Sequence, residues 1–299
     1  MYHNNMWFVR RGDLMGHKVG LVIEGGGMKC AYSAGVLDRF LDDGIDFQYV
    51  VGVSAGAANG ASFVAKQRNR NNRFYTKHCK EKGYFGLGTY IKTGDLFGLD
   101  YIYGTLSNST GDDALDYDTM IKNPTEFEIV VTNATTGEAE YYSKTDMPRD
   151  DYELIKASSS LPGACHAREI NGNYYYDGGV RDSIPVERAL EKGCDRIVVI
   201  LSKPRDFVMK KQSFKGLYTM LCHRFPKIVE LLDHRHTEYM KQYNEVFELE
   251  KEGKAFVFCP DGSLSTGTYK MNIKSNQKMY DSGVIDYDNS VDELEKFLA

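Results

Sequence analysis

The chain has 299 residues, 42% of them hydrophobic and 26% charged, which is an ordinary globular composition and excludes disorder of the whole chain. This length fits one large α/β domain or two small ones. A formal net charge of -5 argues against a protein that binds nucleic acid through bulk positive charge, so we expect no nucleic-acid partner.

Six cysteines are spread along the chain without a C-x-x-C pair, and no Cys/His cluster has the spacing of zinc ligands. We therefore expect reduced thiols, no metal and a cytoplasmic protein. The start of the chain lacks the order of basic and apolar parts that a signal peptide has. Since no apolar run approaches the roughly eighteen residues of a membrane span, we expect a protein that is soluble or attached to a membrane surface.

Two strand-turn-helix units open the pattern. The apolar run Val19 to Ile23 predicts a buried strand, and a glycine turn and a helix follow it, with Gly44 as the stop. A second apolar run, Phe47 to Val53, ends in "GVSAGAANGASFVAK", where small residues lead into another helix. This alternation predicts an α/β fold with a parallel sheet.

Residues 68–126 are less regular. They are rich in Asn, Gly, Tyr and Asp, with weak helical patterns near 72–82 and 112–121. We interpret this segment as an insertion that covers one end of the sheet.

The rest of the chain returns to clear patterns. Strands are predicted in "EFEIVVTNATTGEAEYYS" (two, joined by a turn), "GNYYYDGG", "DRIVVILS" and "KAFVFCP". Helices are predicted in "DDYELIKASSS", in "IPVERALEKG", over 216–252 with a break near Pro226, and in the tail, which includes "SVDELEKFLA". These elements favour one compact α/β domain with a helical C-terminal part.

The turn "GGGMKC" shares only part of the pattern of nucleotide-binding loops. Gly25 and Gly27 fit the dinucleotide pattern G-x-G-x-x-G, but its last position is Cys30. A phosphate-binding loop would need G-K-[ST], which is absent. What remains is either a plain glycine turn for tight packing or a loop that stabilises another negative charge.

The second turn, Gly52-Val53-Ser54-Ala55-Gly56, has the pattern G-x-S-x-G between a strand and a helix, which is the context of a nucleophile elbow. By average composition this pattern arises by chance roughly 0.1 times in such a chain. A serine that attacks an acyl group needs backbone N–H donors for the oxyanion, and the Gly25 to Gly27 turn follows the preceding strand. The two turns therefore predict one acyl-transfer site.

Serine also needs a base. Asp177, in "YYYDGGV", is delivered by an apolar strand and followed by two glycines, although an Asx-type turn would explain an isolated D-G-G equally well. His166, in "LPGACHARE", is the histidine nearest to a strand-end loop, but a lone histidine is more often structural. Both residues stay candidates on this argument.

In this order, "GGGMK", "GVSAG" and "DGG" resemble the patatin-like phospholipase family, which uses a Ser–Asp dyad, and the resemblance covers roughly residues 18–203. It implies a three-layer αβα fold with a mostly parallel sheet and a lipid acyl hydrolase without cofactor. Ser54 would be the nucleophile and Asp177 the base. The oxyanion hole would be Gly25, Gly26, Gly27 and the N–H of Ala55, and the supporting residues would be Gly52, Gly56, Gly178, Gly179 and Lys29.

The resemblance also suggests a division of the chain. A catalytic core would span 18–203, including the insertion, and a mainly helical extension packed on the core would span 204–299. Two positions depart from the family pattern, because Lys29 stands where arginine is common and Cys30 where glycine is common. The lysine keeps the charge but not the planar fork.

The motifs encode the acyl-enzyme step and leave other functions open. An esterase, a thioesterase or a transacylase would use the same residues, and a non-catalytic lipid-binding protein is a further alternative. The oligomeric state is not indicated. The segment "SKPRDFVMKKQSFKGLY" mixes basic and apolar residues, so Phe207, Met209, Lys210 and Lys211 are candidates for peripheral membrane contact, against the alternative of a solvated loop.

Overall fold

The computed structural model describes residues 16–213, 215–264 and 271–299, and these form a layered fold around one β-sheet. Within these ranges the sheet has eight strands, which are β1 Val19–Ile23, β2 Tyr49–Val53, β3 Glu126–Asn133, β4 Ala139–Ser143, β5 Arg168–Ile170, β6 Asn173–Asp177, β7 Arg196–Ile200 and β8 Ala255–Phe258.

The sheet is mostly parallel, which confirms the predicted fold class. Its pairing order is β5-β6-β3-β2-β1-β7-β8, and β4 also pairs with β3. Strands β1, β2, β3, β7 and β8 run parallel to their neighbours in this group, whereas β4 and β6 are antiparallel to β3 and β5 is antiparallel to β6.

Helices cover both faces of the sheet. Their bounds are α1 Ala31–Asp42, α2 Ala55–Val64, α3 Arg70–Thr76, α4 Leu87–Thr93, α5 Tyr117–Lys122, α6 Glu153–Ser158, α7 Val186–Glu191, α8 Lys215–Leu221, α9 Pro226–Lys251 and α10 Ile273–Leu298. Short 3₁₀ turns include Gly27–Cys30 and Gly178–Val180, and a π-helical turn spans Asp100–Leu106.

The side chains of the central strands point alternately to the two faces of the sheet and pack into two separate hydrophobic cores. Leu21 and Ile23 of β1 point to a core shared with α1, α2 and α10, whereas Val22 points to a core shared with α7 and α9. This alternation follows from the two-residue period of a strand, and it produces the three layers. The interior is therefore divided by the sheet, with the long C-terminal helices α9 and α10 on opposite faces.

Helix α10 is longer than the stretch that indicated it in the sequence. The sequence predicted a helical tail that includes "SVDELEKFLA", and α10 begins well before that stretch, at Ile273. Its first half is polar and contains Gly283, which reads as a helix breaker. In the structure this glycine lets α10 lie against α1, because a Cβ at Gly283 would overlap the carbonyl oxygen of Tyr32. Tertiary packing therefore decides this helix.

Candidate active site

One edge of β3 brings two distant chain segments together. Val53, the last residue of β2, pairs with Val130, and Asp177, the last residue of β6, pairs with Val131. Residues 131 and 132 of β3 pair with β4 on one side and with β6 on the other, so β6 and β4 lie on opposite edges of β3. Strand β2 also pairs with residues of β3 that pair with β4, so β2 lies on the edge opposite β4. Strands β2 and β6 therefore lie end to end along one edge, and Ser54 follows β2 at their junction.

The turn at Ser54, which the sequence predicts as a nucleophile elbow, has a strained backbone. Ser54 has φ 56° and ψ -128°, a strained combination for a residue with a side chain. Glycine is required on both sides, since a Cβ at Gly52 would lie 2.6 Å from the Cα of Ala57, and one at Gly56 would overlap the carbonyl oxygen of Ile23. The Ser54 N–H donates to the Ser158 hydroxyl at 2.8 Å, which helps to hold the strained turn.

Asp177 is buried beside this turn, with 2% of its surface exposed. Its Oδ1 accepts the N–H of Gly179 at 2.8 Å, while Oδ2 has no hydrogen-bond partner of standard geometry among the described residues. Burial raises the pKa of Asp177, while interaction with the Ser54 hydroxyl and the Gly179 N–H lowers it in part. Among the described residues no hydrogen bond of standard geometry joins the Ser54 hydroxyl to Asp177.

A serine-rich stretch supports both residues. Besides the bond from Ser54 to Ser158, the N–H of Asp177 donates to the carbonyl oxygen of Ser160 at 2.9 Å. This supporting role of "ASSS" was not predicted from the sequence. The signal that could have found it is the run of small hydroxyl residues shortly before the aspartate strand.

The glycine loop lies against the elbow. A Cβ at Gly25 would come within 2.9 Å of both the Cβ of Ser54 and the carbonyl oxygen of Val53. A Cβ at Gly26 would lie 2.9 Å from the Cβ of Ser202, and Gly27 has φ 57°, which favours glycine. Gly27 and Ala55 line the same cavity as Ser54. The loop is therefore in van der Waals contact with the serine turn.

Cys30 does not enter the cavity. Its side chain is fully buried, and Sγ donates to the carbonyl oxygen of Glu24 at 3.5 Å. Burial is the main cause that raises the pKa of this thiol, so it stays neutral. Cys30 packs beneath the glycine loop, where the family pattern has no side chain.

Glu24, which the sequence analysis missed, anchors the loop from the other side. Its Oε2 accepts the N–H of Ser202 at 2.6 Å, and its Oε1 accepts the Tyr239 hydroxyl at 2.8 Å and pairs with Lys203. Lys29 lies close by, with its ammonium 5.9 Å from the centre of the Phe207 ring. Burial is the largest cause that lowers the pKa of Lys29, and the positive charge of Lys203 is the second largest.

His166 interacts with Asp95 and not with Ser54 or Asp177. Its side chain is 71% exposed, and Nδ1 lies 2.8 Å from Asp95 Oδ1. Neither Ser54 nor Asp177 has a hydrogen bond to a histidine among the described residues.

A narrow apolar cavity opens at Ser54. Its volume is about 60 Å³. Most of its wall comes from the segment that the sequence analysis interpreted as an insertion. The lining side chains from that segment are Arg70, Asn71, Phe74, Tyr75, Tyr84, Phe97, Leu99, Ile102 and Tyr103.

Only part of the candidate membrane segment is exposed at the protein surface. Phe207 packs edge-on against Tyr239 of α9 with ring centres 5.9 Å apart, and Met209 packs against the same core. Lys210 and Lys211 are exposed. None of the described helices is long and apolar enough to cross a membrane.

Two family models match the chain. One is described as patatin-like phospholipase and matches residues 21–190, and the other is a domain of unknown function, DUF6363, which matches residues 225–299. The first model includes the elbow, the glycine loop and the "DGG" turn, and the second includes α9 and α10.

Individual proteins are similar at modest identity. The Escherichia coli (strain K12) protein YjjU is 27% identical over 228 residues, covering 74% of this chain and 62% of YjjU. Lysophospholipase nte1 of Aspergillus terreus is 28% identical over 195 residues, covering 62% of this chain and 12% of the fungal protein. Among solved structures, VipD from Legionella pneumophila aligns with 91% of this chain and 67% of its own at 13% identity and a TM-score of 0.41.

Proposed function

The chain belongs to the patatin-like phospholipase family, and on that premise we propose that it is a serine hydrolase that cleaves carboxylic esters of lipids. The observation that carries the proposal is the meeting of Ser54 and Asp177 at the junction of β2 and β6, with Ser54 in the wall of an apolar cavity. Such a cavity suits an acyl chain, and the similarity to fungal lysophospholipases favours a phospholipase A or lysophospholipase activity.

The proposed reaction has two halves. Oδ2 of Asp177 takes the hydroxyl proton of Ser54 while Oγ attacks the ester carbonyl, and the proton then passes to the departing alcohol. Water, activated by the same carboxylate, hydrolyses the acyl-enzyme. The N–H groups of Gly25, Gly26, Gly27 and Ala55 are proposed to stabilise the oxyanion in both halves.

The electrostatics fit a base that works without histidine. A carboxylate in water is a weak base, with a pKa of about 4. Burial raises the pKa of Asp177 and so strengthens it as a base. The glycines beside it, Gly178 and Gly179, leave room for the backbone turn, since a Cβ at Gly178 would overlap the carbonyl oxygen of Val130.

The remaining parts of the proposal concern organisation and setting. Residues 18–203 would form the catalytic core, and 204–299 a helical extension whose α9 and α10 pack on the sheet. We expect a cytoplasmic enzyme that works at the surface of a membrane. A transacylase, thioesterase or small-ester esterase would use the same acyl-enzyme, and turnover of mixed lipids followed by mass spectrometry would separate them.

The decisive test compares Ser54→Ala and Asp177→Asn with the parent protein. Each substitution should lower ester hydrolysis by on the order of 10⁴-fold or more, and Ser54→Ala should also abolish labelling by a fluorophosphonate. Asp182→Asn is the matched control, because Asp182 is also buried but accepts a hydrogen bond from Tyr141, at 2.7 Å. Robust hydrolysis by both site variants would refute the dyad.

A further inference from the structure

Exposed apolar side chains are concentrated on two short stretches. Among the described residues ten large hydrophobic side chains are exposed, and seven of them lie on α4 or between Val208 and the end of α8. Ile91 is 84% exposed, Leu87 75% and Met220 62%. Large apolar residues that gather on one part of a surface indicate an interaction site, whereas single ones need no explanation. The seven are Leu87, Tyr90, Ile91, Val208, Leu217, Met220 and Leu221.

The two stretches border the same loop. The Cδ1 of Leu221 lies 3.7 Å from the position that a Cβ on Gly163 would take, and the N–H of Leu96 donates to the carbonyl oxygen of Ala164 at 2.8 Å. The loop over residues 161–166 therefore connects the end of α8 with the chain that follows α4. Leu161, at the start of this loop, and Phe97, next to Leu96 in the chain, both line the Ser54 cavity. The exposed apolar residues thus flank the region around the cavity.

The stretch before and along α8 is basic in sequence. Residues 203–227 contain seven Lys and Arg but a single Asp, in a chain of net charge -5. Four of the seven pair with carboxylates outside the stretch, so the basic character of this surface rests on the exposed Lys210, Lys211 and Arg224. Lys210 and Lys211 are exposed before α8, and Lys82 and Lys92 are exposed beside and on α4. Basic and apolar side chains together are what an anionic bilayer surface attracts, because the lysines meet phosphate while the apolar groups enter the acyl region.

We propose that α4 and α8 form one membrane-docking face that inserts Leu87, Ile91, Leu217 and Met220 into an anionic bilayer. A second copy of the chain fits this face less well. A two-fold dimer would bring the same basic stretch of each protomer together. The proposal deepens the proposed function, since docking here would present lipid to the Ser54 cavity, but binding can be measured without hydrolysis.

The test uses the full chain with Ser54→Ala, so that vesicles of phosphatidylcholine and phosphatidylglycerol stay intact during sedimentation. Adding Ile91→Asp or Met220→Asp should weaken vesicle binding about tenfold, because each substitution removes an inserted apolar side chain and adds repulsion. Ile285→Asp is the matched control: Ile285 is 56% exposed on α10, and its substitution should leave binding unchanged. The thermal midpoint of each variant should equal that of the parent.

Charge reversal separates the two parts of the face. Lys210→Glu with Lys211→Glu should weaken binding to anionic vesicles and not to pure phosphatidylcholine, and the effect should shrink in high salt. Equal binding by Ile91→Asp, Met220→Asp and the parent would overturn the proposal. So would a dimer in sedimentation that these two substitutions dissociate while no protein binds vesicles. If the parent binds as expected but hydrolyses no ester, the docking face stands and the proposed function fails.

Discussion

Two regions meet at Ser54, and they are built in different ways. On one side, Ser54, Asp177 and the glycine loop sit at strand ends, where backbone pairing with β3 and β1 fixes their positions. On the other side, α3 and the π-helical turn contribute side chains to the cavity wall, and α4 contributes side chains to the exposed surface. Strand register allows little adjustment, whereas short helices change their surface one side chain at a time. The first region is therefore suited to chemistry and the second to the choice of substrate.

The largest expected effect comes from adding one methyl group to each region in turn and comparing the loss of stability. Gly56→Ala places a Cβ against backbone, 2.7 Å from the carbonyl oxygen of Glu24, so we expect about 3 kcal/mol of lost stability and a large loss of activity. Gly88→Ala adds the same atom on α4, where nothing lies within 4 Å, and should be neutral or stabilising by up to about 1 kcal/mol. Urea denaturation measures both, and equal costs would contradict the contrast.

A second prediction concerns the charge at the strand ends. The proposed mechanism needs Asp177 in its ionised form, so kcat/KM should fall as the pH drops through its raised pKa, above the value of about 4 for a free aspartate. The acid limb should therefore lie higher than an exposed carboxylate would give. A pH–rate profile of a soluble ester measures it, and an acid limb at or below 4 would contradict burial as the cause.

The same carboxylate should weaken the fold at neutral pH. Because folding raises the pKa of Asp177, its contribution to stability is present at low pH and is lost as the pH rises through the folded-state pKa. Asp177→Asn should thus be inactive yet more heat-stable than the parent at neutral pH, with a difference that shrinks on acidification. Asp182, whose pKa burial raises to about 6, is present in both proteins and cancels from that difference.

The smallest expected effect is in the cavity wall. About 60 Å³ holds roughly five water-sized groups, since each needs about 10–15 Å³ of such space, so short acyl chains should be preferred. Phe97→Leu shortens one wall and should shift the preference toward chains longer by one or two carbons, by about tenfold in relative kcat/KM. Val208→Leu, outside the cavity, is the control. A series of ester chain lengths measures the shift, and an unchanged profile would show that this wall does not select the chain.

The strand-end region was largely predictable from the sequence. The turns at Gly25 and Ser54 and the strand before Asp177 each have a local signature, because glycine requirements and apolar runs are properties of a few adjacent residues. The family resemblance drawn from them is confirmed by the match over residues 21–190. The assignments of nucleophile, base and oxyanion donors stay predictions.

What the sequence could not give depends on contacts between distant residues. That β6 is antiparallel and abuts β2 along β3 depends on pairing, which leaves no local pattern. The hydrogen bond from Ser54 to Ser158 also joins residues that are far apart in the chain, as does the burial of Glu24 beside Ser202, so no local pattern predicts either. The early start of α10 depends on α1, and the cavity wall comes from a segment with weak periodicity.

The end-to-end arrangement of β2 and β6 also has a consequence for synthesis on the ribosome. Ser54 emerges from the ribosome well before Asp177, because the chain is made from its N-terminus. A nascent chain that has already paired β1 with β2 carries the strained serine turn with no carboxylate beside it. If the proposed dyad is correct, hydrolytic competence appears only when β6 docks on β3. Truncated or half-made chains would then leave the surrounding lipids intact.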